Sequence, residues 1–322
     1  MIYSKIAGTG SYLPKKILTN AELEKMVDTS DEWIRSRTGI ERRHIAADDE
    51  ATSDLAFHAA LGAMESAGVA PAEIDFIIVG TTTPDLVFPN VACILQERLG
   101  VPACPAFSTE AACSGFIYGL SITDKFIRSG ESKCALVVGA ETLSRITNWE
   151  DRNTCVLFAD GAGAVVLKAS DEPGVMSTHV GADGQYKDLL YCTAGISKNS
   201  EEFARGHAYV EMRGNEVFKV AVKTLGAIVD VALEANGIEK SAIDWLVPHQ
   251  ANTRIIQATA KRLGLPMEKV VLTVQHHGNT SAASVPLALD VAVRDGRIQR
   301  GDLLLLEAFG GGFTWGSALI RY

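Results

Sequence analysis

The chain has 322 residues, 47% of them hydrophobic, enough to bury a large core in one big domain or two similar halves. A net charge of −9 argues against a protein that coats nucleic acid, and no apolar run approaches the length of a membrane span. Aromatics are only 7% while glycine reaches 29 residues, so tight turns and close backbone packing are expected.

Residues 1–6 read as a strand entering a glycine turn at Gly8-Thr9-Gly10 and not as a signal peptide, so a cytoplasmic protein with reduced thiols is expected. A lone Gly-x-Gly with no third glycine opening a helix is weak support for a dinucleotide site. A helix ends at Gly68, and a buried apolar strand follows within residues 73–79. Residues 105–108 read as a strand, and an apolar helical pattern begins at Phe116, with Cys113 in the turn between them. Residues 134–139 are a further buried strand. Asp160-Gly161-Ala162-Gly163-Ala164 precedes a Val-rich strand, the wrong direction for a phosphate loop.

The same order then repeats. A helix ends at Gly237, a strand at 245–247 leads to His249, a helix covers 252–263, and a strand covers 303–308. Gly68 and Gly237, Ile74 and Ile243, and Cys134 and Leu303 are each 169 residues apart. Leu99-Gly100 and Leu263-Gly264 are 164 apart, so one half carries a short insertion. Strands alternating with helices favour an α/β fold with mostly parallel sheets covered by helices.

The six cysteines form no Cys-x-x-Cys pair and have no histidine at zinc-finger spacing. Several sit in apolar runs and read as small buried hydrophobes, as Cys113 would in isolation. Its surroundings argue for more. A strand-to-helix turn presents a side chain at the mouth of a sheet and aims helix N–H groups at it, which is expected to lower the thiol pKa toward neutrality. Two polar islands lie downstream, Pro248-His249-Gln250-Ala251-Asn252 and Gly278-Asn279-Thr280-Ser281-Ala282-Ala283-Ser284. Cys, His and Asn on separate loops are the parts of covalent acyl chemistry. Taken singly, His249 also suits a core histidine at a strand end, and Asn279 a turn residue. His276 and His277 have no carboxylate or cysteine cluster beside them, so no metal is expected and they read as loop residues. Arg254, Lys261 and Arg262 share a face of the 252–263 helix, either a solvated face or a basic docking patch.

These islands, with Thr109-Glu110-Ala111-Ala112-Cys113-Ser114-Gly115 and Phe309-Gly310-Gly311-Gly312-Phe313, make the chain resemble the β-ketoacyl-acyl-carrier-protein synthase III family over nearly its whole length. These are the initiating condensing enzymes of type II fatty-acid synthesis. The resemblance implies a thiolase-like fold of two pseudo-symmetric halves in five α-β-α-β-α layers. Residues 1–172 would carry Cys113, and residues 173–322 would carry His249 and Asn279.

It further implies that Cys113 takes the acyl group from a short acyl-CoA, acetyl-CoA favoured. His249 and Asn279 would then assist decarboxylation of malonyl-acyl-carrier protein, whose carbanion attacks the thioester. Losing CO₂ leaves an enolate, whose oxygen needs preorganised donors. Asn279 can only hydrogen-bond, whereas His249 suits a donor, an acid/base, or both. A second oxyanion hole would lie at the N–H groups of Cys113 and Gly312.

By the same resemblance, Thr29, Trp33, Arg37 and Arg152 would bind the CoA nucleotide, and Asn215, Phe218 and Asn252 would line the pantetheine tunnel. Phe88, Leu143, Phe158 and Leu190 would form the acyl pocket, Phe88 reaching across a homodimer interface. Lys219, Arg254, Lys261 and Arg262 would receive the acidic carrier protein. Acyl-CoA is a substrate, and no cofactor, nucleic acid or membrane partner is implied. No cysteine follows Cys192, so the second cysteine of a thiolase is missing, which favours decarboxylative condensation. The rival readings are a specialised acyl-CoA condensing enzyme of a secondary-metabolite pathway and a cysteine thioester hydrolase.

Overall fold

The buried strands and glycine-ended helices of the sequence form in a computed structural model that describes residues 2–322. Met1, first residue of the expected opening strand, lies outside the described residues. The first half runs β1 (Tyr3–Tyr12), β2 (Lys16–Thr19), α1 (Asn20–Leu23), α2 (Asp31–Thr38), β3 (Arg42–Ile45) and α3 (Thr52–Ala67). It continues with β4 (Phe76–Gly80), α4 (Val91–Leu99), β5 (Ala106–Thr109), α5 (Gly115–Ser129), β6 (Cys134–Thr142) and β7 (Asp160–Ser170). The second half opens with β8 (Val175–Ala182), β9 (Leu190–Cys192), α6 (Ser200–Ala204), β10 (Val210–Met212) and α7 (Gly214–Asn236). β11 (Trp245–Pro248), α8 (Thr253–Leu263), α9 (Val274–His277), α10 (Ser284–Arg294), β12 (Leu303–Gly310) and β13 (Thr314–Arg321) complete it.

The repeat is visible in three dimensions. One sheet has the order β1-β7-β6-β4-β5 and the other β8-β13-β12-β11, where a lone bridge from Leu246 to Val270 stands in for the fifth strand. Gly68 and Gly237 end α3 and α7 in the same left-handed conformation, at φ 62° and 61°. The sheets are mixed, a correction to the mostly parallel expectation. β4 runs parallel to β5 and β6, and β11 to β12, but β7 and β1 and β13 and β8 pair antiparallel. The physical reason is the connection: no α-helix separates β6 from β7 or β12 from β13, so each strand turns back beside its predecessor.

Alternate residues of each strand face different cores, which builds the layers. Phe76 and Ile78 of β4 and Leu304 and Leu306 of β12 pack with Phe116, Leu120, Val285 and Leu289, so α5 and α10 are sandwiched between the two sheets. Ile77 and Val79 face the other way, onto Leu55, Ala59 and Leu95 of α3 and α4. Leu303 and Leu305 face Val229, Leu233, Ile256 and Ala260 of α7 and α8. Helices, sheet, helices, sheet, helices is therefore the order through the molecule.

The opening strand does not end at a glycine turn, a second correction. β1 runs on to Tyr12, paired to β7 on both sides of a bulge at Ala7. A Cβ on Gly10 would lie 2.2 Å from the Ala63 nitrogen, and one on Gly8 would lie 2.4 Å from that of Ala67. The glycines let α3 sit directly on the strand. No helix among the described residues is long and apolar enough to cross a membrane.

Candidate active site

Cys113 sits in a single 3₁₀ turn, Ala112–Ser114, between β5 and the first residue of α5. Ala112 is in the left-handed region at φ 44°, the strained corner that turns the strand into the helix. A Cβ on Gly310 would lie 2.6 Å from the Cys113 nitrogen, so the end of β12 presses against the turn. The matching turn at the start of α10, Ser281–Ala283, is strained in the same way, with Ser281 at φ 49°. Ala112 and Ser281 are 169 residues apart. The sequence repeat thus extends into the reactive turns, a signal that the apolar patterns alone did not show.

His249 follows β11, its N–H bonded to the Glu307 carbonyl at 2.8 Å. Its Nδ1 lies 2.5 Å from Ser284 Oγ, which also accepts the Gln250 N–H at 3.3 Å. If Ser284 donates its hydroxyl proton to Nδ1, the imidazole proton lies on Nε2, the tautomer that makes Nε2 a donor. Asn279 is clamped by its backbone, its N–H on Leu157 O and its carbonyl accepting from Ala159, both at 2.9 Å. Its side-chain oxygen accepts the Ser281 N–H at 2.9 Å, which leaves Nδ2 as its outward donor. The 279–284 segment therefore carries Asn279, holds its side-chain oxygen with the Ser281 N–H and supplies Ser284 to His249.

Burial decides the charges. It pushes the Cys113 thiol up to about 12, with hydrogen bonds from Ser281 and the residue's own N–H pulling the other way. This corrects the expectation of a thiol lowered toward neutrality: the helix start is present, but the side chain lies inside the fold. Burial also drives His249 down to about 3. The resting pair is neutral thiol and neutral imidazole.

The structure also gathers the proposed nucleotide clamp. Arg152 lies 4.7 Å above the Trp33 ring and Arg37 lies 5.8 Å from it. Arg152 is also held by the Asp28 carbonyl at 2.8 Å, next to Thr29, whose hydroxyl is buried without a partner among the described residues. Asn215 is exposed in the first turn of α7, one turn from half-buried Phe218, over which Arg254 stacks at 5.5 Å. Asn252 has a second duty, since its side-chain oxygen caps α8 at Ile255.

Leu143 and Phe158 are buried in one cluster against which Leu190 packs. Phe88 is apart from them and 82% exposed, beside exposed Leu86 and Val87. Lys219, Arg254, Lys261 and Arg262 are all exposed, but Arg262 turns toward α7 and pairs with Asp230 at 3.5 Å. His276 and His277 end the short helix α9 and are not loop residues, since the chain coils once before Gly278. His277 is half-buried, edge-on to His44, and driven down to about 4, mainly by loss of water.

Sequence reasoning missed Ser281 and Ser284 as individual participants, although both lie in a quoted motif. It also missed Glu141, fully buried in β6. A lone acid in an apolar strand was the available signal.

Fold and site together define a class: a thiolase-like α/β acyltransferase built around a buried cysteine. The comparisons with known proteins narrow it. The profile described as 3-oxoacyl-[acyl-carrier-protein (ACP)] synthase III matches residues 107–184, and that of its C-terminal part matches 233–322. Beta-ketoacyl-[acyl-carrier-protein] synthase III of Xanthomonas campestris pv. campestris is 66% identical over 321 residues, covering 100% of this chain and 99% of that one. The crystal structure of 3-oxoacyl-[acyl-carrier-protein] synthase III from Aquifex aeolicus superposes with a TM-score of 0.94 at 48% identity, covering 99% and 100% of the two chains. The priming β-ketosynthase of the R1128 polyketide pathway also reaches 0.94, at 38% identity, covering 99% of this chain and 96% of its own. The chain belongs to the 3-oxoacyl-[acyl-carrier-protein] synthase III family.

Proposed function

We propose that the protein condenses a short acyl-CoA, acetyl-CoA preferred, with malonyl-acyl-carrier protein, giving 3-oxoacyl-acyl-carrier protein, CO₂ and CoA. The observation that supports this reading is the 279–284 segment, on which Asn279, its Ser281 partner and the Ser284 partner of His249 lie within one short stretch.

Cys113 attacks the thioester carbonyl, its proton leaves with the CoA thiolate, and the acyl group remains on sulfur. The N–H groups of Cys113 and Gly312 hold the oxyanion; Gly312 adopts φ 131°, open to glycine. When malonyl loses CO₂, its electron pair becomes an enolate whose oxygen is held by His249 Nε2–H and Asn279 Nδ2–H. The enolate carbon attacks the acyl thioester, and Cys113 departs and is reprotonated. A neutral imidazole donor suits this step, because it stabilises the enolate without surrendering a proton. No further group is required, since acyl-CoA is a substrate.

Trp33, Arg37 and Arg152 would grip the nucleotide with Thr29, and Asn215, Phe218 and Asn252 the pantetheine arm. Leu143, Phe158 and Leu190 would wall the acyl group. Exposed Phe88 supports a homodimer in which it enters the partner's pocket. Lys219, Arg254 and Lys261 offer exposed charge to an acidic carrier, with Arg262 weakened by Asp230. The halves would divide at residue 172, in the link between β7 and β8.

The test is release of labelled CO₂ from carboxyl-labelled malonyl-acyl-carrier protein, primed by acetyl-CoA or octanoyl-CoA, with Cys113→Ser alongside. Acetyl-dependent release with condensed product, both lost in the variant, is expected. Release with octanoyl-CoA alone would indicate a specialised condensing enzyme. Thioester hydrolysis without condensation would overturn the reading.

A further inference from the structure

Glu141 lies in β6 with no exposure, yet no cation pairs with it among the described residues. Five hydrogen-bonding groups converge on it instead. Thr83 Oγ1 approaches at 2.6 Å, Thr81 Oγ1 at 3.2 Å, Thr82 Oγ1 and the Thr82 N–H at 3.1 Å, and Ser281 Oγ at 3.0 Å. Thr83 Oγ1 also accepts from the Thr142 N–H and Thr81 Oγ1 from the Thr83 N–H, which leaves each hydroxyl proton available to the carboxyl group. Only a carboxyl group offers enough acceptor positions for such a ring.

We propose that Glu141 is a positioning residue for the condensation, acting through Ser281 on Asn279. The inference rests on the function proposed above. Ser281 occupies a left-handed conformation that a side-chain-bearing residue avoids unless its surroundings hold it. The Glu141 bond to its hydroxyl is one such hold, beside the Asn279 oxygen on its N–H. From this conformation the Ser281 N–H takes the Asn279 oxygen, turning Nδ2 outward, while the Ser281 hydroxyl reaches Glu141. β6 also presses on the turn from behind, where a Cβ on Gly139 would lie 2.2 Å from the Ala282 carbonyl oxygen. One carboxyl group thereby ties the 81–83 loop to the turn that follows Asn279.

The experiment measures acetyl-CoA-dependent CO₂ release for wild type, Glu141→Gln, Ser281→Ala and the double variant. Gln keeps the volume but brings an NH₂ into a ring of donors. Each single variant is expected to lose about tenfold in kcat, because a misdirected oxyanion donor loses part of its effect. KM for both substrates should stay within about twofold, and the double variant should be no slower than the slower single, since both changes cut one chain. Ser281→Ala leaves the threonine ring intact, so it carries the test if Glu141→Gln does not fold. A merely structural role would lower the melting temperature with kcat per folded molecule unchanged, and that result overturns the proposal. So do losses that multiply in the double variant. A wild type that releases no CO₂ overturns the underlying function, and the inference falls with it.

Discussion

At the scale of single residues, the site is a neutral pair awaiting substrate. With the Cys113 thiol at about 12, the thiolate fraction rises tenfold with each pH unit across the working range. Alkylation of Cys113 by iodoacetamide, followed on its own peptide because Cys192 is an exposed free thiol, should therefore climb about tenfold per unit from about pH 6 to 9 without levelling. An ordinary thiol would bend over near the top of that window, and such a plateau would contradict the buried-thiol account. In the mechanism proposed above, Asn279 serves the other half-reaction. Asn279→Ala should cut CO₂ release by about 10²–10³ while acetyl transfer to Cys113 changes by less than about threefold, because the lost donor serves only the enolate. Equal losses in both steps would mean that Asn279 merely supports the cysteine turn. Cys113, His249 and Asn279 were legible in the sequence because each sits in a short motif of distinctive composition. The sign of the thiol shift was not legible, since a sequence shows that a helix begins but not how deep its first turn lies. The His249 tautomer was equally hidden, because it depends on where the Ser284 hydroxyl finds an acceptor.

At the scale of elements, apolar runs and terminal glycines identified the strands and helices because each half is buried on both faces of its sheet. They did not identify where a glycine serves packing and not a turn. Gly8 and Gly10 looked like a chain reversal, yet they lie inside β1 beneath α3. Gly10→Ala should cost about 3 kcal/mol or more, since its Cβ would meet the fixed backbone of α3 and not a side chain that can yield. Gly184, which has nothing within 4 Å of an added Cβ among the described residues, is the control. Its alanine variant should stay within about 0.5 kcal/mol of wild type. Urea midpoints of the two variants check the contrast, and equal midpoints would dismiss the close-packing account. The same limit explains the mixed sheets: strand existence follows from composition, while strand direction follows from whether a crossover helix intervenes.

At the scale of the whole molecule, stability depends on groups that folding strips of water. His249 and His277 are held neutral, at about 3 and about 4, so the unfolded chain binds protons that the fold refuses, and stability falls as pH drops below about 6.5. Glu307 acts on the alkaline side. It lies in β12 between Pro248 and Ser317, and both carboxyl oxygens are buried without partners among the described residues. Burial lifts it from 4.5 to about 8. Below its unfolded value the group is neutral in both states and costs the fold nothing extra. As pH rises, the unfolded chain gains a solvated carboxylate while the fold keeps the proton, so stability drains away until the folded group ionises near 8. Each unit of that interval is worth about 1.4 kcal/mol, an amount that melting temperatures resolve. Glu307→Gln keeps the shape and the neutral form but cannot ionise. It should match wild type below about pH 4.5 and melt at progressively higher temperature than wild type up to about pH 8, where the gap stops widening. A gap of constant size across the range would mean that Gln merely packs differently. A gap that narrows with rising pH would show that Glu307 is stabilised as a carboxylate, with a partner that burial alone does not reveal.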